Sequence, residues 1–129
     1  MGYSEVLVDT SIIIDYLRKI NKEKTLFWDI INTYTCYISS VTVFELYSGA
    51  KEPKHSEALD IVLSHLDILA FDVVQAKIAA SIFQKLKANN KLIEFRDIFI
   101  ASSAISKDIP LATLNKKHFK RIDNLELII

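Results

Sequence analysis

Apolar residues recur along this chain in two alternating rhythms. Val6, Leu7 and Val8 form a short, partly β-branched run that stops at Asp9, the pattern of a strand buried on both faces with a carboxylate at its carboxyl end. Over residues 10–19 the apolar positions Ile12, Ile13, Ile14, Tyr16 and Leu17 predict a helix, with Thr10 or Ser11 as its cap. Leu26, Phe27, Ile30, Ile31 and Tyr34 give a second helix one apolar stripe. Residues 36–38 read as a second strand, and the Ser39-Ser40 pair opens a helix that runs to about Ala50 and carries Glu45. Pro53 suits the first turn of another helix, buried through Leu59, Val62, Leu63 and Leu66. A strand at about 67–71 follows, and Asp72 caps a long helix with the stripe Val74, Ile78, Ile82, Phe83 and Leu86. Residues 97–105 are apolar nearly all round, as expected of a helix packed centrally against a sheet. Residues 110–113 predict a short strand, 115–119 a loop or helical turn, and 125–129 a last strand.

Strands alternating with helices favour an α/β fold, a mainly parallel sheet covered on both sides, reached by right-handed crossovers. The length of 129 residues suits a single domain, 1–129, whose core needs no disulfide or structural metal. The lone Cys36 agrees and points to a reducing compartment. The N-terminus lacks a signal peptide's cationic and apolar regions, and no apolar run approaches the roughly 18 residues that span a bilayer. The expected location is the cytoplasm, with no membrane partner. Sixteen basic and sixteen acidic residues balance, so binding to nucleic acid must rest on local clusters. Only Gly2 and Gly49 are present, which excludes a phosphate-cradling glycine loop and a G-x-S-x-G nucleophile elbow.

In such folds ligands bind beyond the carboxyl ends of the strands. Asp9 falls there, as does Asn115 just after the strand ending at Thr113, while Glu45 and Asp97 are expected on the first turns of helices. Carboxylates that converge and stay ionised usually hold a hard divalent cation, Mg²⁺ or Mn²⁺, able to activate water against a phosphodiester. Each residue also has a purely structural explanation: Asp9 as a helix cap, Glu45 in a capping box with Thr42, Asp97 at a positive helix end, Asn115 in a turn. His55, His65 and His118 lie far apart in sequence, which disfavours a metal-free histidine nuclease.

The strings VLVDTSIIIDYLR, ISSVTVFELYSGA, IEFRDIFIASSA and PLATLNKKHFKRI, in this order, resemble the motifs of PIN-domain proteins, above all the VapC-type toxins. The resemblance implies a three-layer α/β/α domain with a mainly parallel central sheet of four to five short strands. It also implies a metal-dependent endoribonuclease neutralised by a cognate antitoxin. Asp9, Glu45 and Asp97 match the family's first three acids and would ligate the ion. Asn115 matches the fourth catalytic position, where many relatives have Asp, leaving three charges instead of four. Thr10 and Ser11 follow the first acid and can orient a carboxylate or a water, and Thr113 is placed to hydrogen-bond Asp9 from an adjacent strand.

Lys116, Lys117, His118, Lys120 and Arg121 form a candidate RNA-binding patch, supplemented by Arg18 and Lys19; the competing explanation is a solvated basic face. Apolar helix faces containing Phe27, Trp28 and Tyr34 offer a surface for an antitoxin or a second copy, and likeness to the family implies a homodimer. The alternative is a catalytically weak or inactive PIN-like module that binds antitoxin or RNA. A phosphoaspartate domain is disfavoured because Asp9-Thr10-Ser11 lacks a second acid two residues on.

Overall fold

The computed structural model describes residues 4–128, so the expected strand's last residue, Ile129, and residues 1–3 lie outside the described residues. Five strands form one sheet: β1 (Glu5–Val8), β2 (Thr35–Ser39), β3 (Asp67–Leu69), β4 (Leu111–Ala112) and β5 (Leu127–Ile128). Their order is β3-β2-β1-β4-β5, and every pairing is parallel. The helices are α1 (Thr10–Arg18), α2 (Leu26–Ile31), α3 (Ser40–Ser48), α4 (Pro53–Leu63), α5 (Val73–Ala88), α6 (Phe95–Lys107) and α7 (Lys116–Phe119), with a 3₁₀ turn at Lys22–Lys24 that hydrophobic periodicity did not reveal.

Side chains alternate across a strand, so β1 feeds two cores. Val6 and Val8 join Ile12, Ile13, Phe27, Ile38, Leu46 and Leu59 under α1 to α4. Leu7 turns the other way, to Ile98, Ile100, Ala101, Leu111 and Phe119 under α5 to α7. The result is the expected α/β/α sandwich, with β1 at its centre. The near-total burial of Ile98, Ile100, Ala101 and Ala104 explains why α6 lacks a polar stripe.

Local chemistry sets the boundaries. Ser39 ends β2 and caps α3, its hydroxyl accepting from the Val41 N–H, while Ser40 accepts from Phe71 N–H. Asp72 and Gln75 form a reciprocal capping box on α5. Four expectations need correction. Helix α1 is not capped by Thr10 or Ser11: Asp9 holds that position, without a side-chain cap bond, because its carboxylate is engaged elsewhere. Helix α6 starts at Phe95, two residues before Asp97, and Glu45 lies in the second turn of α3, not the first. Phe27 is core, 4% exposed, and offers no docking surface; Trp28 beside it remains 38% exposed. Among the described residues no helix is long and apolar enough to cross a membrane.

Candidate active site

The parallel register sets Val8 of β1 beside Ala112 of β4, so Asp9 and Thr113 leave the sheet together at its carboxyl edge. The Asp9 N–H donates to the Ala112 carbonyl at 2.9 Å, which holds the two chain ends in step. Asp9 is 4% exposed, and burying a carboxylate requires hydrogen-bonded compensation. Thr113 and Ser11 supply it, each hydroxyl donating to Asp9 Oδ2 at 2.7 Å. Those hydroxyls are themselves fixed by backbone donors, Asn115 N–H on Thr113 Oγ1 at 2.9 Å and Leu114 N–H on Ser11 Oγ at 3.1 Å. The expected bond from Thr113 to Asp9 is therefore present, and Ser11 acts on the carboxylate instead of capping the helix.

Glu45 reaches the same edge from α3. Its Oε1 accepts from the Thr10 hydroxyl at 2.8 Å, and the buried Thr42 hydroxyl lies 3.2 Å from Thr10. Thr42 thus supports the site through Thr10, and no capping box with Glu45 forms. The other oxygen, Oε2, lies 3.2 Å from Nη1 of Arg96, whose Nη2 also contacts Glu94.

Asp97, at the third position of α6, has one-fifth of its side chain exposed. Burial first, and then the negative charge of Asp9, raise its carboxyl above the usual range; His118 opposes this, and Glu45 adds a further upward push. Asp9, Glu45 and Asp97 thus act on one another electrostatically. Asn115 precedes α7, and its side-chain amide lies 2.8 Å from Nδ1 of His118, which is 3.6 Å from Asp97 Oδ2. A bare Nδ1 accepts from the amide N–H of Asn115, and at 3.6 Å the imidazole is close enough to Asp97 to act on it through charge but not through a direct hydrogen bond. His118 therefore stands beside Asp97 from the short helix α7.

A family model for the PIN domain matches residues 6–125. The chain belongs to the PIN-domain family. It is 36% identical over 126 residues to Ribonuclease VapC1 of Methanocaldococcus jannaschii, covering 98% of this chain and 87% of that protein. To Ribonuclease VapC3 of the same organism it is 43% identical over 98 residues, 76% of this chain and 96% of that one. The crystal structure of VapBC2 from Rickettsia felis bound to a DNA fragment from their promoter matches with a TM-score of 0.85 at 30% identity, covering 96% of this chain and 97% of its counterpart.

Three carboxylates and an amide have the hard oxygen chemistry that Mg²⁺ or Mn²⁺ selects, and a cation beside Asp97 would offset both its burial and the negative charge of Asp9. Among the described residues, however, no three His, Cys, Asp or Glu side chains are already gathered closely enough to hold an ion. Glu45 is turned to Arg96 instead. Sequence patterning missed Arg96 and gave Thr42 only a capping role. The adjacency of Arg96 to Asp97 and the three-residue spacing of Thr42 from Glu45 were the available signals.

The other candidates divide. Lys117 and Lys120 are exposed and Lys116 half-buried, whereas Arg121 donates to the Lys91 and Leu92 carbonyls at 3.5 and 3.1 Å and so braces the loop before α6. Cys36 is buried, and burial pushes its thiol up to about 11, well away from nucleophilic chemistry.

Two outcomes follow. Thr113→Val leaves Asp9 one hydroxyl donor short and the Asn115 N–H without its acceptor, so urea unfolding is expected to show a loss of about 1–3 kcal/mol; an unchanged midpoint would show that this bond does not hold Asp9. The raised folded-state pKa of Asp97 means that its ionisation works against folding: the penalty is complete above that pKa and is relieved as pH falls through it. Asp97→Asn is therefore expected to stabilise the cation-free protein at neutral pH, with the gain shrinking on acidification. Thermal melts across pH would reveal a destabilised variant if that sign is wrong.

Proposed function

We propose that this PIN domain, acting as one domain over residues 1–129, is a Mg²⁺- or Mn²⁺-dependent endoribonuclease of the VapC type, silenced by a cognate antitoxin. What supports the reading is a linked set of contacts beyond the carboxyl ends of β1 and β4: Thr113 and Ser11 on Asp9, Thr10 on Glu45, and His118 between Asn115 and Asp97. Asp9, Glu45 and Asp97 would hold the ion, which supplies charge neutralisation, polarisation of a phosphodiester and acidification of water.

The chain's own residues do the rest. Thr113 and Ser11 fix the Asp9 carboxylate, and Thr10, backed by Thr42, fixes one oxygen of Glu45. Asp97, one-fifth exposed and next to His118, would help hold and orient the attacking water together with Asp9. Asn115 contributes a neutral oxygen or N–H donor toward the scissile group, which makes this site less negative than one with four carboxylates. Lys116, Lys117 and Lys120, with His118 at the inner end of the same helix, are the groups available to phosphates; Arg121 serves them by steadying the neighbouring loop.

A groove of about 330 Å³ lined by Ile14, Leu17, Arg18, Leu46 and His55 runs alongside Glu45. It supports docking of an apolar antitoxin segment next to the acidic cluster. The homodimer implied by family likeness belongs to the same proposal.

Incubating the purified, antitoxin-free protein with total cellular RNA tests the activity. Cleavage is expected with Mg²⁺ or Mn²⁺, none with chelator, and Asp97→Asn is expected to lower the rate by on the order of 10²–10³-fold while remaining folded. Folded protein that neither cuts RNA nor binds Mn²⁺ would leave a binding module in place of the enzyme.

A further inference from the structure

Both oxygens of Glu45 are already in use. Thr10 holds Oε1 at 2.8 Å, and Arg96 Nη1 stands 3.2 Å from Oε2. Arg96 comes from the second position of α6, next to Asp97, and its side chain is 54% exposed while that of Glu45 is only 14% exposed. The guanidinium thus closes the outer side of a half-buried carboxylate. Its second nitrogen contacts Glu94, whose side chain is 62% exposed, so a perch outside the site is available without any change of backbone. With Glu45 turned to Arg96, the three acids are not gathered around one point among the described residues.

From this geometry we infer that Arg96 is an internal cation that competes with the divalent ion for Glu45 and thereby sets the ion concentration at which the site loads. The inference rests on reading Asp9, Glu45 and Asp97 as a metal centre. In the cation-free protein Arg96 neutralises Glu45. When a divalent ion takes Oε2, the like charge of the guanidinium becomes unfavourable there, and Arg96 withdraws to Glu94. The competition is modest because a solvent-exposed ion pair is weak, which makes Arg96 a threshold and not a block.

Mn²⁺ titration calorimetry on the nucleic-acid-free protein tests this without reference to activity. Arg96→Gln is expected to tighten Mn²⁺ binding about two- to fivefold, the scale of one exposed ion pair, and Arg96→Lys, which keeps the charge, is expected to stay nearer to the parent protein. In a Glu45→Gln background the same Arg96→Gln change is expected to alter affinity by less than about twofold, because the competition runs through Glu45. Unchanged or weaker binding in Arg96→Gln would overturn the inference, as would equal tightening with and without Glu45, which would mark Arg96 as a general repulsive charge. Asp97→Asn separates this from the underlying reading: if that variant binds Mn²⁺ as well as the parent protein, the metal centre itself is wrong. Thermal melts of each variant establish that it is folded.

Discussion

A buried carboxylate at the end of the central strand is the constraint on which the rest of this structure depends. Asp9 is almost wholly removed from water, and its ionised form is tolerable only because Thr113 and Ser11 donate to it. That arrangement requires β1 and β4 to be adjacent, parallel and in a register that brings Val8 beside Ala112. The register requires α6 to cross one face and α1 to α4 the other, with Leu7 and Val8 pointing into opposite cores. The sandwich is thus the device that delivers two residues distant in sequence, Asp9 and Thr113, to one hydrogen bond.

Around that fixed point the electrostatics are left unfinished. Asp97 is raised by burial and by Asp9, and only His118 pulls in the other direction. Glu45 is balanced by Arg96 at the surface. Such a cluster costs stability that apolar or neutral groups would not, and that cost is what the proposed ligand site explains. The chain belongs to the PIN-domain family and is 36% identical to a VapC ribonuclease.

Much of this was legible in the sequence because burial writes a plain pattern. Val6 to Val8 and the buried middle of α6, Ile98 to Ala104, are strong signals, and the acids beside them stand out by contrast. Boundaries were less legible where burial is partial. Strand β3 is an edge strand with Asp67 and Ile68 exposed, so the expected strand at 67–71 ran two residues too far. Helix α6 starts at Phe95, a large apolar residue that is 59% exposed and gives no inward-facing signal. Asp9, Glu45, Asp97 and Asn115 could be named from motif order, and Thr113 from strand adjacency. Arg96 could not, because its meaning lies in a contact with Glu45, 51 positions away in sequence, that only the packing of α3 near α6 creates.

The central claim is that the strand-end carboxylates form a charge cluster which a divalent cation completes. Its most direct test is the melting temperature of the RNA-free protein as Mn²⁺ is raised from zero into the millimolar range at constant ionic strength. An ion that binds only the folded state must stabilise it as the logarithm of its concentration once the site begins to fill. Such a rise is expected, absent when chelator is in excess over Mn²⁺ and lost in Asp9→Asn. A melting temperature indifferent to Mn²⁺ would mean that Asp9, Glu45 and Asp97 are balanced by the protein alone, and the metal centre would fall with it.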